Sequence, residues 1–200
     1  MQRRTLLKAG LAGSATAALA SLTGCASSNM GPGWTPMIDG KTLTGWNQIG
    51  NGNWRIEDGM VVGDKGKAGF LVTSRKYTNF MIRAEFWASE DCNSGIFIRC
   101  TDAQKVTGDN AYEVNIFDKR PDPSYATGAI VNVAKPAVMI KAANQWNVYE
   151  ITASGDTFTV TLNGTRTVNG ARDARHPTGL IALQSDGGVI KFRKLDIREI

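Results

Sequence analysis

The chain has 200 residues and a formal net charge of +5. Its first 24 residues carry Arg3, Arg4 and Lys8 and no acid, so residues 25–200 keep a charge of only +2. No Lys/Arg cluster remains in them, which argues against a nucleic-acid surface or a polybasic membrane surface.

Residues 1–24 read as an address rather than as part of a fold. Arg3-Arg4-Thr5-Leu6-Leu7-Lys8 is similar to a twin-arginine export motif, although ordinary secretory signals are also basic at this point. The run from Ala9 to Leu22 is too short and too rich in Ala and Gly for a spanning helix. Leu22-Thr23-Gly24-Cys25 matches a bacterial lipobox, in which Cys25 is lipidated and becomes the mature N-terminus. Ala26 is not an Asp-type retention signal, so the expected location is periplasm-facing at the outer membrane. Membrane contact is expected only through the lipid. Residues 25–36 then comprise the lipidated Cys and a short Gly/Pro tether, and residues 37–200 suit one domain with a single core. Of the three cysteines, Cys92 and Cys100 flank a strand-like run. An extended run would hold them about 25 Å apart, too far for a disulfide.

Short strands punctuated by turn residues recur along the domain. Trp54–Glu57 and Met60–Gly63 flank Asp58-Gly59, and Phe158–Leu162 and Thr165–Val168 flank Asn163-Gly164. Both dipeptides favour tight hairpin turns. Phe70–Thr73, Phe80–Ala88, Thr127–Val133, Trp146–Ala153, Leu180–Gln184 and Val189–Ile197 supply further strands. No amphipathic helix of three turns is legible. The pattern predicts an all-β domain, a jelly-roll β-sandwich of two antiparallel sheets.

The stretch 93–118 is the most unusual. Ser94–Cys100 and Ala111–Asp118 alternate as strands do, yet one parity carries Phe97 and Arg99 and the other strand carries Glu113, Asn115 and Phe117. If these faces coincide, a cation, a carboxylate, an amide and aromatic rings share one surface. That composition suits the floor of a polar ligand site. Glu113 and Arg99 could instead form a structural ion pair across the sheet, and Asp118 could be a turn residue.

Ile38-Asp39-Gly40-Lys41-Thr42-Leu43-Thr44-Gly45-Trp46, Asn93–Arg99 and Tyr112–Asp118 together resemble a bacterial family described as 3-keto-glycoside lyases/hydratases, or 3-keto-disaccharide hydrolases. The likeness continues in order through Thr127-Gly128-Ala129, Gln145-Trp146-Asn147, Leu162-Asn163-Gly164 and Ile181–Gln184. It implies a concanavalin- or laminarinase-like jelly roll with a sugar on its concave sheet. The substrate would be a 3-keto-glycoside or oligosaccharide, oxidised beforehand by a separate sugar 3-dehydrogenase. Two positions depart from the family pattern: Asp186 stands where many members carry His, and Asn115 where Gln is common.

A ketone at C3 acidifies the C2 proton and places the C1–O bond β to the carbonyl. Cleavage by elimination then needs a base, a group to hold the enolate oxygen and an acid for the leaving oxygen. Glu113 is the expected base, Arg99 the enolate holder, and Asp118 the acid, a sugar ligand or a metal ligand. Asn115 and Gln184 are expected to bind hydroxyls, with Phe97, Phe117 and Trp87 as apolar contacts; Trp34 could also stack on a sugar ring. Trp46, Trp54 and Trp146 suit the core. His176, the sole histidine, is more often merely an exposed loop residue. A divalent metal ion held by carboxylates from separate loops is possible, although no metal motif is legible. The alternative function is a non-catalytic, lectin-like carbohydrate-binding lipoprotein on the same sandwich.

Overall fold

The computed structural model describes residues 31–64 and 68–200. The expected export signal, Cys25 and most of the tether lie outside the described residues. The described chain is built from β1 (Thr35–Pro36), β2 (Trp46–Gly50), β3 (Asn53–Glu57), β4 (Met60–Asp64), β5 (Gly69–Thr73), β6 (Phe80–Ala88), β7 (Ser94–Cys100), β8 (Tyr112–Ile116), β9 (Trp146–Ser154), β10 (Thr157–Leu162), β11 (Thr165–Arg172), β12 (Leu180–Ser185) and β13 (Ile190–Glu199). One 3-10 turn, Pro123–Tyr125, is the only helical element among the described residues.

The strands form two antiparallel sheets. The larger runs β11-β10-β9-β6-β13-β4-β3, with β1 also paired to β13; the smaller runs β2-β5-β12-β7-β8. The all-β sandwich follows from the alternation. Phe80, Ile82, Ala84, Phe86 and Ala88 of β6 are buried, while Met81, Arg83, Glu85 and Trp87 between them are less so. The inner faces of the two sheets meet in one core, where Phe86 stacks on Tyr149 with centroids 4.9 Å apart. Asp58-Gly59 and Asn163-Gly164 both have positive φ at each position, as hairpin turns of this length require.

Two segments differ from the sequence expectation. Trp46–Gly50 is a strand that its weak alternation conceals. Thr127–Val133 is not a strand, because Gly128 (φ 91°) and Asn132 (φ 61°) turn the backbone. It still covers the free edge of β8: the Asn115 N–H donates to Ala129 O at 3.1 Å, and the Val131 N–H to Glu113 O at 3.0 Å.

The feature that most affects the site is a bulge in β7. Phe97 pairs with Ala182 and Cys100 with Leu180, so two residues of β7, Ile98 and Arg99, oppose Ile181 alone. Arg99 is the extra residue, in the left-handed region at φ 54°. Only a residue without Cβ fits opposite, since a Cβ on Gly179 would stand 2.3 Å from Arg99 C. The bulge turns Arg99 away from Phe97's face. Its guanidinium is buried against the Phe158 ring, 5.2 Å from the centroid, and donates to the carbonyls of Thr78, Gly155 (2.7 Å) and His176 (3.3 Å).

Arg99 therefore ties three loops together at one end of the sandwich. Replacing it with Met would leave those carbonyls short of donors, each a buried group that costs free energy when unpaired. Arg99→Met is expected to lower unfolding free energy by roughly 3 kcal/mol in urea titrations. An unchanged urea midpoint would contradict this structural role.

Candidate active site

The outer face of the five-stranded sheet gathers much of what the sequence singled out. On β8, Tyr112, Val114 and Ile116 point into the core, which leaves Glu113 and Asn115 outward. Register places Phe97 opposite Glu113 and Gly95 opposite Asn115. On β12, Ala182 pairs with Phe97, and the ladder continued by two residues sets Gln184 beside Gly95; Gln184 in turn pairs with Phe70. Two rows result. One is Val72, Ala182, Phe97 and Glu113, and the other is Ile49, Phe70, Gln184, Gly95 and Asn115. Phe70 and Phe97 meet edge to face at 5.3 Å in a second apolar cluster beside the polar groups, where Phe97 is buried and Phe70 partly so.

Glu113 bends over the gap that Gly95 leaves. A Cβ on Gly95 would stand 3.2 Å from Glu113 Cγ and 3.4 Å from its Oε1. Glycine here provides a depression in the sheet floor and room for the carboxyl above it. Glu113 is only 9 % exposed, and neither oxygen has a hydrogen-bond partner among the described residues. Burial pushes its pKa up from 4.5 to about 7, and the nearby charge of Arg120 opposes only part of that rise. The carboxyl is thus poised to exchange a proton near neutral pH.

Asn115 is held from several sides. Its Nδ2 donates to Tyr125 O, and its own carbonyl accepts from Gly128 N (3.1 Å) and from the Tyr149 hydroxyl (2.6 Å). Nδ2 is engaged, and Oδ1 is buried without a partner; so is Gln184 Oε1. Buried acceptors without donors are rare in folded proteins. Two on one sheet face, flanking a glycine gap and a carboxyl, suit a ligand rich in hydroxyl donors.

Other expected site residues lie elsewhere. Arg99 does not share the face of Glu113, because of the bulge. Asp118 is occupied structurally: it accepts from the Thr127 hydroxyl and from the N–H groups of Ala142 (2.8 Å) and Ala143 (2.9 Å). Its carboxylate pins the turn after β8 and is not free to act as an acid. Phe117 follows Asn115 on the same parity, partly buried, with its N–H bound to Thr127 Oγ1 at 2.9 Å. Trp87 lies on the outer face of the other sheet, under Lys191 Nζ at 5.5 Å from the centroid, so it cannot reach a ligand beside Glu113. Trp146, expected in the core, pairs with Trp87 on that same face and is 37 % exposed beneath Arg193. Trp46 and Trp54 are buried. Trp34 packs under Arg198. His176 sits at the Arg99 end, where its N–H donates to the Tyr112 hydroxyl at 2.9 Å. Asp186 accepts from Asn93 Nδ2 at 3.1 Å. Cys92 and Cys100 are free buried thiols, and burial pushes that of Cys92 up to about 12.

Sequence reasoning missed Gly95, Phe70 and Arg120. Gly95 and Phe70 acquire meaning only from the register. A separate cleft of about 360 Å³, lined by Thr35, Met37, Trp46, Ser74, Arg75 and Tyr77 among others, contains none of the candidate residues. No group of three or more His, Cys, Asp or Glu side chains gathers among the described residues. The one carboxylate and two amides on this face do not amount to such a group.

A 3-keto-alpha-glucoside-1,2-lyase-like domain model matches residues 33–198, and the chain belongs to that family. An 87-residue stretch is 34 % identical to a 3-keto-disaccharide hydrolase of Bacteroides thetaiotaomicron, covering 38 % of this chain and 29 % of that protein. The match thus spans less than a third of that relative. Among solved structures, a Parabacteroides distasonis protein provisionally named as a glycosyl hydrolase superposes with a TM-score of 0.73 at 19 % identity, over 84 % of this chain and 94 % of the other. The β-glucanase of Bacillus licheniformis superposes with a TM-score of 0.62 at 12 % identity, over 84 % and 97 %. At these identities the likeness concerns the fold.

The raised pKa of Glu113 has a consequence for stability. Below about 4.5 both folded and unfolded chains hold the proton. As pH rises from about 4.5 towards 7 the unfolded chain releases it first, so stability falls across that window, by on the order of 3 kcal/mol at most. Glu113→Gln removes the titration. It is expected to raise the melting temperature relative to wild type at pH 8 and to leave it nearly unchanged at pH 4.5. Equal melting temperatures at pH 8 would show that the carboxyl is not held out of water.

Proposed function

We propose that this protein cleaves 3-keto-glycosides by elimination followed by rehydration, with Glu113 as the proton-transfer group. The observation that carries the reading is the buried, unpaired Glu113 carboxyl beside the Gly95 gap, flanked by the unpartnered oxygens of Asn115 and Gln184. Family membership supports the substrate class.

In this scheme the sugar lies over Gly95 against Phe97 and Phe70, and two of its hydroxyls donate to Asn115 Oδ1 and Gln184 Oε1. The Glu113 carboxylate takes the proton from C2. The C2–H electron pair forms a C2=C3 bond, and the carbonyl electrons move to the C3 oxygen. Collapse of the enolate re-forms the ketone, makes a C1=C2 bond and expels the C1–O group. Among the described residues Glu113 is the only carboxyl on the strand rows of this face, and Asp118 is occupied by three hydrogen bonds. The proton held by Glu113 therefore passes to the leaving oxygen, so that one group serves first as base and then as acid. Water then adds across C1=C2, its hydroxyl to C1 and a proton to C2, and gives the free 3-keto sugar. The net change is hydrolysis, and the reading differs from a two-carboxylate glycosidase.

The substrate would be supplied by a separate dehydrogenase acting at C3. Leu22-Thr23-Gly24-Cys25 supports export and attachment through a lipid on Cys25, with the domain facing the periplasm. The non-catalytic alternative uses the same two acceptors but leaves the sugar intact.

Incubation of the protein with a 3-keto-disaccharide, followed by NMR, is expected to show the 2-hydroxy-3-keto-glucal and then the free 3-keto sugar. Glu113→Gln should reduce turnover by at least about 10²-fold, the scale of a lost general base. The wild-type kcat should rise with pH through about 7 on its acidic limb. Tight binding of unmodified glucosides, without products from 3-keto substrates, would favour the lectin-like alternative.

A further inference from the structure

The elimination described above places negative charge on the C3 oxygen, and Arg99 cannot meet it. The turn that leaves β8 supplies another cation. Phe117–Arg120 folds back on itself, with the Arg120 N–H donating to Phe117 O at 3.4 Å. Two ties hold this turn beside the site: Asp118 binds Thr127, Ala142 and Ala143, and the Phe117 N–H binds Thr127 Oγ1. Within it the two adjacent cations differ. Lys119 is exposed and pairs with Glu90 at 2.9 Å, whereas Arg120 is partly buried. Its guanidinium has neither an ion pair nor a hydrogen bond among the described residues. Arg55, Arg172, Arg175 and Arg193 are by contrast each paired with a carboxylate. Asp122, two residues on, accepts from Ser124 N at 3.0 Å rather than from Arg120.

We propose that Arg120 is a catalytic residue, whose guanidinium binds the C3 oxygen of the substrate as that oxygen takes up charge. The proposal rests on the keto-sugar reading given above. A guanidinium presents several N–H donors in one plane and stays charged throughout, which suits an oxygen that gains charge beside a hydroxyl-bearing carbon. The arrangement also explains why base and cation coexist without cancelling. Arg120 is the charge acting on Glu113, yet burial dominates and the carboxyl remains easy to protonate. Lys135 and Arg120 also act on Asp122, which follows the turn. Substrate would enter between Arg120 and the Gly95 floor, completing a base, two hydroxyl acceptors and one oxyanion donor.

The test uses the full chain carrying Arg120→Met or Arg120→Lys, assayed with a 3-keto-disaccharide, alongside carboxyl-carbon NMR of Glu113. Arg120→Met is expected to lower kcat by about 10²–10³-fold, the usual cost of a lost oxyanion donor, with a smaller change in KM. Arg120→Lys should recover part of the loss. The midpoint of Glu113 should move above about 7 in Arg120→Met, because a nearby cation has been removed. An active wild type with unchanged kcat in Arg120→Met would overturn the role of Arg120 alone. A wild type inert towards 3-keto-glycosides would overturn that role together with the functional reading.

Discussion

On an unbroken β7–β8 ladder, Arg99 and Glu113 would be diagonal neighbours on one face, close enough for long side chains to pair. Such a pair would hold the carboxyl ionised and engaged. The single extra residue in β7 prevents this by turning Arg99 towards Phe158 and the carbonyls of Thr78 and Gly155. The bulge in turn requires Gly179, whose missing Cβ lets β12 approach Arg99 C. One backbone irregularity thus does two things. It fastens the loops at one end of the sandwich, and it leaves a buried carboxyl without the neighbouring strand's cation. The raised pKa of Glu113 is the electrostatic consequence.

The rest of the face is consistent with that consequence. Gly95 makes room beneath the carboxyl, Phe70 and Phe97 meet in an apolar cluster, and Asn115 is held by Tyr125 and Tyr149 while its side-chain oxygen lacks a donor. Segment 128–131 covers the edge of β8, which would otherwise expose backbone donors and acceptors. Gly95 and the two unpartnered amide oxygens cost stability or restrict sequence, and none of the three improves the core. Such departures from good packing concentrate where a protein binds or reacts.

Much of the sandwich was legible because antiparallel strands with one buried face alternate visibly, and because Asp58-Gly59 and Asn163-Gly164 can hardly be anything but hairpin turns. Parity likewise put Phe97, Glu113 and Asn115 on one face, with Gln184 added by the pairing of β12. Parity counting failed where its premise failed. A bulge is one residue of register, and nothing in Ile98-Arg99-Cys100 announces that Gly179 will press against it. Thr127–Val133 has β-branched residues at both ends but turns at Gly128 and Asn132. Trp146 shows the same limit. Its strand is correct, but which side of the sheet it faces depends on Asn147 and Tyr149 being the inward pair. Arg120 could not be singled out from sequence, since a cation after a strand is usually solvated and its partial burial without an ion pair appears only in the structure.

The most direct test of this account is a crystal structure of Glu113→Gln with a 3-keto-disaccharide bound. The account predicts the keto ring over Gly95, with C2 facing the side chain at position 113 and ring hydroxyls within hydrogen-bond distance of Asn115 Oδ1 and Gln184 Oε1. A sugar seated instead in the cleft beside Trp46 and Tyr77, or stacked on Trp87 and Trp146 across the sandwich, would contradict it.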